Sequence, residues 1–161
     1  MVETSSGTAV VTLPTDTQIL IEREFNAPRH LVYKAYTTPD LIKRWWSGDR
    51  GEVTSAEVDL RVGGRWRYVM TANGGFEVAF HGEYREIVPD ERLVTTEVYE
   101  GAPEGEAVVT HIFAEKDGRT TLTILMELPD RESRDAVINS GMEGGMQESM
   151  DHLEQVAISL R

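Results

Sequence analysis

The sequence contains no cysteine, and this absence excludes several kinds of site. Without thiols the chain can form no disulfide, no thiolate nucleophile and no cysteine-based zinc site. It also lacks any apolar run that approaches the roughly 20 residues of a membrane helix. The polar N-terminal segment 1–8 has neither the basic nor the apolar part of a signal peptide. We therefore expect a cytoplasmic protein without membrane insertion.

Basic residues are scarce as well. The chain has 16 Lys and Arg against 28 Asp and Glu, which gives a formal net charge of -12. Because binding to nucleic acid requires a basic surface, we expect no nucleic-acid partner. Segment 26–50 is an exception, since its five Lys and Arg outnumber its two Asp. This segment is either a solvated helix surface or a region that attracts an acidic ligand or protein partner.

Motifs that would indicate a metal, a cofactor or a reaction are missing too. The four histidines do not have the spacing of metal ligands, and no serine lies in a nucleophile-elbow sequence. The glycine pairs 63–64 and 74–75 fit hairpin turns rather than phosphate-binding loops. We therefore predict no metal site, no cofactor and no catalytic residue. His81 is expected to face outward, and His111 to be buried and hydrogen-bonded.

What the sequence does contain is a strong helical pattern at its C-terminus. Apolar residues recur there at steps of four and three, which predicts a long helix with one apolar side. They are Met142, Met146, Met150, Leu153, Ala157 and Leu160. A single long helix must pack this side against a sheet. Methionine adapts to irregular spaces, so the pattern favours a container.

The preceding part of the chain reads mostly as strands separated by turn residues. Thr17–Phe25 is the first long strand, and an edge strand at Ala9–Leu13 is predicted before it. Two short helices follow. Asn26 is the expected N-cap of the first, with Pro28 near its first turn, and Thr38 is the expected cap of the second, which begins at Pro39. The later strands are Val53–Leu60, Arg65–Thr71, Phe76–Val88, Arg92–Tyr99, Ala107–Glu115 and Thr120–Leu128. A short helix is expected near Arg131–Ile138. Short connections favour antiparallel pairing, so we predict an α+β fold whose twisted sheet forms a trough under the long helix.

Strand alternation predicts which side chains line this trough. One alternating set places Trp66, Tyr68 and Met70 on the same side of a strand, and another does so for Phe80 and Tyr84. The predicted ligand-binding residues are Trp46, Trp66, Tyr68, Met70, Phe80, Tyr84, His111, Met126, Met142 and Met146. The same side chains could instead form an ordinary filled core.

Alternation also predicts that Arg23 is buried beside Ile21 and Phe25. A buried guanidinium requires an anionic partner. Glu57 or Asp59 could supply the carboxylate, or the partner could be the anionic head group of a ligand. A third interpretation is that the side chain reaches solvent at the strand end.

Taken together, these features resemble the START-like (SRPBCC) superfamily, and within it the group of homologues of the activator of heat-shock protein 90 ATPase. The segments that carry the resemblance are Arg23–Pro28, Val32–Tyr36, Thr38–Trp46, Asp59–Trp66, His81–Leu93 and Gly141–Met146 leading to Leu153. They extend over residues 17–160. The resemblance implies a helix-grip fold in one domain of residues 1–161, with residues 1–16 as an N-terminal extension. It also implies a hydrophobic cavity between the sheet and the C-terminal helix.

Three functions are compatible with such a fold. The first is binding of a small hydrophobic or amphipathic ligand by a monomer or homodimer. The second is an enzyme of cyclase or hydrolase type that uses the same cavity, with His111, Tyr68 or Glu97 moving protons. The third is a protein-interaction or co-chaperone-like module, which would have a filled core and an exposed apolar patch.

Overall fold

The computed structural model describes residues 2–3 and 8–161, and in this part the chain forms nine strands and four helices. The strands are β1 Val2–Glu3, β2 Val10–Leu13, β3 Gln18–Phe25, β4 Gly51–Val58, β5 Arg65–Ala72, β6 Glu77–Val88, β7 Arg92–Tyr99, β8 Ala107–Lys116 and β9 Arg119–Glu127. The helices are α1 Arg29–Thr37, α2 Pro39–Ile42, α3 Arg131–Asn139 and α4 Met142–Ser159. The predicted order of elements is therefore confirmed, including the short helix before α4. The strand predicted at Ala9–Leu13 forms as β2, but it is not an edge of the sheet, because the unpredicted β1 pairs with it.

All nine strands belong to one antiparallel sheet. Its order is β1-β2-β3-β9-β8-β7-β6-β5-β4, and β4 and β1 remain as unpaired edges. Register shifts between Val53 and Ser55 in β4, and between Tyr84 and Glu86 in β6, mark irregular pairing that bends strands. The sheet is curved and open, as the helix-grip fold requires.

Helix α4 packs its apolar side against the concave side of this sheet. Met150, Leu153 and Ala157 are buried, whereas Met142, Met146 and Leu160 are partly buried and pack against the same core. The glycines at 144 and 145 lie inside the first turns of α4. The break between α3 and α4 comes before them, at Ser140 and Gly141. Gly141 there adopts a left-handed conformation with φ of 82°.

Polar contacts fix α4 from both sides. Gln147 accepts a hydrogen bond from the Ala9 backbone N–H at 3.0 Å and donates one to the Ala9 carbonyl at 2.8 Å. On the other side, the Ser149 hydroxyl donates to the Trp46 carbonyl at 2.7 Å, and Arg50 pairs with Glu148 at 3.1 Å. The helix is therefore held in register with the first strands and with the segment that follows α2.

Two sequence predictions about local contacts are wrong. Arg23 is buried, with 5% of its side chain exposed, but it pairs with Asp151 at 2.8 Å and Glu154 at 3.4 Å on α4. Glu57 lies in β4 and Asp59 directly follows it, and that strand is at the opposite edge of the sheet from β3.

The second incorrect prediction concerns the start of α1. Pro28, not Asn26, is the N-cap residue, and it makes no side-chain cap hydrogen bond. The first N–H groups are satisfied from distant elements instead. Glu115 of β8 accepts from the Arg29 N–H at 2.8 Å, and Glu154 of α4 accepts from the Asn26 N–H at 2.8 Å.

Candidate functional site

The predicted lining residues lie mostly around one region between the sheet and α4. Trp66, Tyr84 and Met126 belong to the buried core. Trp46, Tyr68, Phe80, Met142 and Met146 are partly buried and pack against this core. Met70 is partly exposed, and it is not among the described side chains that form or contact the core cluster.

Aromatic rings connect α2 and its following turn to the far half of the sheet. Trp46 meets Tyr68 edge-on with ring centroids 5.5 Å apart, and Phe80 at 5.7 Å. Tyr68 also packs against Trp66 at 4.8 Å. Trp46 is placed by the short helix, whereas the others come from adjacent strands whose alternate residues share one side. These rings form a continuous apolar wall.

A hydrogen-bonded group of polar side chains adjoins this wall. His111 of β8 interacts through Nδ1 with the Tyr36 hydroxyl of α1 at 2.6 Å, and through Nε2 with the Thr95 hydroxyl of β7 at 3.2 Å. Burial lowers the pKa of His111 to about 4, so the ring is neutral at pH 7. A neutral imidazole has one N–H, so His111 donates one of these bonds and accepts the other.

Tyrosine hydroxyls form a second pair in the same region. Burial raises the pKa of the Tyr68 and Tyr84 phenols above their ordinary value, and the two groups are near enough to affect each other. Burial also raises the pKa of Tyr36, with a smaller contribution from the negative charge of Glu97. The phenols therefore stay protonated and serve as hydrogen-bonding groups rather than as bases.

Glu97 is the exceptional member of this group. It lies two residues beyond Thr95 on the same side of β7, opposite Ala107 of β8. Burial raises the pKa of its carboxyl from 4.5 to about 7. No donor or cation within residues 2–3 and 8–161 forms a hydrogen bond or ion pair with this carboxyl. Glu97 interacts electrostatically with Tyr36 and Tyr68, so these groups lie near one another.

The alternation in β7 gives no sequence signal for this placement. Val94 and Val98 lie on one side of the strand, and Leu93 and Tyr99 lie on the side of Glu97, so apolar residues occur on both sides. The pairing with β8 decides the matter, because Glu97 is level with buried Ala107, and Thr95 is level with buried Val109. Sequence reasoning named His111, Tyr68 and Glu97 as proton-transfer candidates, but it missed Tyr36 and Thr95.

Two surface depressions of the described chain lie away from this polar group. One open surface depression is lined by Glu57, Val58, Asp59, Arg61, Gly63 and Arg65. A second lies over the Arg23 ion pairs and is lined by Thr8, Arg23, Asp151, His152, Glu154 and Gln155. Within residues 2–3 and 8–161, no group of three or more His, Asp or Glu could hold a metal ion. No helix of this part is both long and apolar enough to cross a membrane.

Comparison with known proteins decides the family. A family model described as "Activator of Hsp90 ATPase homolog 1-like protein" matches residues 26–157. The chain belongs to this family. This family is part of the START-like (SRPBCC) superfamily, in agreement with the resemblance of the sequence segments. A comparison with curated proteins gave no match.

Solved structures show the same fold. A protein from Rhodobacter sphaeroides is 27% identical, with a TM-score of 0.86 over 94% of this chain and 98% of that one. A protein from Chromobacterium violaceum is 28% identical, with a TM-score of 0.78 over 89% of this chain and 98% of that one. A protein from Mycobacterium smegmatis is 22% identical, with a TM-score of 0.82 over 96% of both chains. This family member therefore has the helix-grip fold along nearly its whole length.

Proposed function

We propose that this protein binds a small amphipathic molecule between the sheet and α4, with the aromatic wall on one side and the polar group around His111 and Glu97 at its end. The observation that carries the proposal is that this polar group is largely removed from solvent and yet only partly covered by other protein atoms. Glu97 and His111 lie deep enough for desolvation to shift the pKa of both, yet both retain accessible surface. We interpret this combination as room for the polar end of a ligand.

The chemistry of the surrounding residues supports a ligand of mixed polarity. Small-molecule sites are usually apolar, with a few polar groups that orient the ligand. Trp46, Tyr68 and Phe80 would contact an aromatic or aliphatic body. His111 and Glu97 would contact its polar end. The methionines at 142 and 146 of α4 would adapt to ligands of different shape.

A co-purified ligand is the first expected result. Protein purified without added ligand should release a small molecule when it is denatured, in an amount comparable to the protein by mass spectrometry. A Trp66→Ala variant would be ambiguous here because losing a buried Trp also destabilises by about 3–5 kcal/mol. Tyr68→Leu is a better comparison, since it keeps the wall apolar and removes a hydroxyl. No bound molecule in repeated preparations, together with no binding of added aromatic compounds, would contradict the proposal.

A second candidate is an enzyme that uses the same site, and the pKa of Glu97 favours it. A general acid or base works best when its pKa is near the working pH, and the Glu97 pKa is about 7. The released molecule distinguishes the candidates when it is returned to fresh protein. An unchanged mass after incubation supports binding alone. Conversion by the wild type but not by Glu97→Gln supports catalysis.

Little in the structure favours a protein-interaction module. Exposed apolar side chains such as Leu60 and Val62 lie in the turn before β5, whereas Phe76 lies beyond the other end of that strand. They do not form one contiguous patch of the kind that marks a docking surface.

A further inference from the structure

The charge of Glu97 has no counterpart among the side chains around it. The titratable groups on the packed elements are Tyr36 of α1, Tyr68 of β5, Tyr84 of β6 and His111 of β8. The phenols are protonated, and His111 is neutral at pH 7. On α4 a titratable group with a buried atom is Glu143, whose Oε2 has no hydrogen-bond partner in the described part of the chain. An ionised Glu97 therefore has no cation beside it.

The Tyr36 hydroxyl is engaged elsewhere, because it is bonded to Nδ1 of His111 at 2.6 Å. Tyr68 interacts electrostatically with Glu97, and no hydrogen bond joins the two in the described part of the chain. An ionised carboxylate only accepts hydrogen bonds, and it has about four acceptor positions. Those of Glu97 are left without a donor from the described part of the chain. A ligand that donates a hydrogen bond to the Glu97 carboxylate would supply this missing partner.

We infer that Glu97 is the polar anchor of the ligand site, and that the site selects molecules in which a protonated amine is attached to an aromatic or apolar body. This inference rests on the proposed function. A charge-assisted N–H···O bond is stronger than a neutral one, and it cancels the uncompensated charge. The rings of Trp46 and Tyr68 favour a cation as well. The net charge of -12 attracts cations to the protein.

The inference has a defined dependence on pH. Binding of the ammonium group requires the ionised carboxylate, and the carboxyl has a pKa of about 7 in the free protein. Affinity for an arylmethylamine, which stays protonated throughout, should therefore fall roughly a hundredfold from about pH 8 to about pH 5. Neutral ligands of the same shape should show no such change.

Three compounds of nearly equal shape test the inference: naphthylmethylamine, naphthylmethanol and naphthoate. Calorimetric titration near pH 8 should show the amine binding the wild type about tenfold or more tightly than the alcohol, with naphthoate weakest. Glu97→Gln should abolish this preference, because its neutral amide cannot neutralise the ammonium group. Glu83→Gln changes the net charge equally at an exposed position of β6, and it should behave as the wild type.

Two results would overturn the inference while leaving the proposed function intact. One is binding of the alcohol or naphthoate at least as tightly as the amine. The other is a preference for the amine that survives in Glu97→Gln or that does not weaken at acidic pH. Absence of binding by all three compounds would overturn both the inference and the proposed function for aromatic ligands.

Discussion

Replacement of Glu97 by glutamine should make the protein more stable by about 3 kcal/mol near pH 8, and should leave its stability nearly unchanged near pH 4. The physical reason is the displaced pKa of the buried carboxyl. Its value is about 7 in the folded protein and 4.5 as the ordinary value. Each unit of difference corresponds to about 1.4 kcal/mol. Glutamine has a similar shape and no charge, so it avoids the cost of a buried anion.

The sign of this effect follows from proton binding. A carboxyl whose folded pKa is raised binds its proton more tightly in the folded state, so its contribution to stability is complete below pH 4.5 and is lost as the pH rises to about 7. His111 acts in the opposite direction. Its folded pKa of about 4 lies below 6.5, so stability is lost as the pH falls through that window. The two effects offset each other in the wild type between about pH 4.5 and 6.5.

Urea unfolding of the wild type and Glu97→Gln at several pH values isolates the Glu97 effect, because His111 is present in both proteins. The difference in unfolding free energy should grow steadily from about pH 4 to pH 7 and then level off. Glu83→Gln serves as the control and should differ little from the wild type at every pH. A Glu97→Gln variant that is less stable near pH 8, or a difference that does not depend on pH, would contradict the account of the buried carboxyl.

The second large effect is expected at Gly82, where Gly82→Ala should destabilise the fold by more than about 4 kcal/mol. Gly82 lies in β6 opposite Trp66 of β5. A β-carbon there would overlap the Thr96 carbonyl oxygen of β7 and lie 2.6 Å from Trp66 Nε1. Backbone cannot move aside as the end of a flexible side chain can. The sheet would have to separate at the strands that support the aromatic wall.

Chemical denaturation of Gly82→Ala and Gly105→Ala gives a matched comparison. A β-carbon at Gly105 would meet only the Ala102 carbonyl, at 3.9 Å, so this variant should stay within about 0.5 kcal/mol of the wild type. Failure of Gly82→Ala to accumulate as folded protein, while Gly105→Ala folds, agrees with the expectation. Stability of Gly82→Ala within about 1 kcal/mol of the wild type would show that β6 and β7 are not so closely apposed.

Much of the fold could be predicted because its signals are local. Alternation and turn residues located β2 to β9 within two residues of their bounds, and the periodic stripe from Met142 to Leu160 located α4. The Arg23 partner could not be found this way, because ion pairing depends on which strands become neighbours. Sequence order places β3 close to β4, whereas the sheet places β9 beside β3 and moves β4 to the far edge.

The apolar half of the site was more accessible to sequence reasoning than the polar half. Trp66, Tyr68 and Phe80 lie on clearly alternating strands, so their common side is evident. Glu97 lies on a strand with apolar residues on both sides, and its register with buried Ala107 shows which side faces the core. Tyr36 reaches His111 from a helix about 75 positions earlier, a contact that no local pattern contains. Such departures from local pattern are typical of functional sites.

The loss of folding stability caused by the Glu97 carboxyl near neutral pH indicates a functional role for this residue. A buried carboxyl without a partner lowers stability near neutral pH, and glutamine or a small apolar residue would avoid this loss. Perturbed carboxyl groups of this kind are concentrated at binding and catalytic sites. The stability lost at Glu97 is therefore the expected counterpart of a recognition role.

The most direct test of the site is the indole N–H region of the ¹H–¹⁵N spectrum, because the chain has 3 tryptophans. Trp46 and Trp66 belong to the aromatic wall. Trp45 instead stacks on Tyr36 with ring centroids 5.5 Å apart, and its N–H is held by the Ala35 carbonyl at 2.9 Å. Addition of whichever naphthyl compound binds most tightly should shift the Trp46 and Trp66 signals in a saturable manner and move Trp45 less. Saturable binding that leaves Trp46 and Trp66 unchanged would place the ligand elsewhere and contradict a site between the sheet and α4.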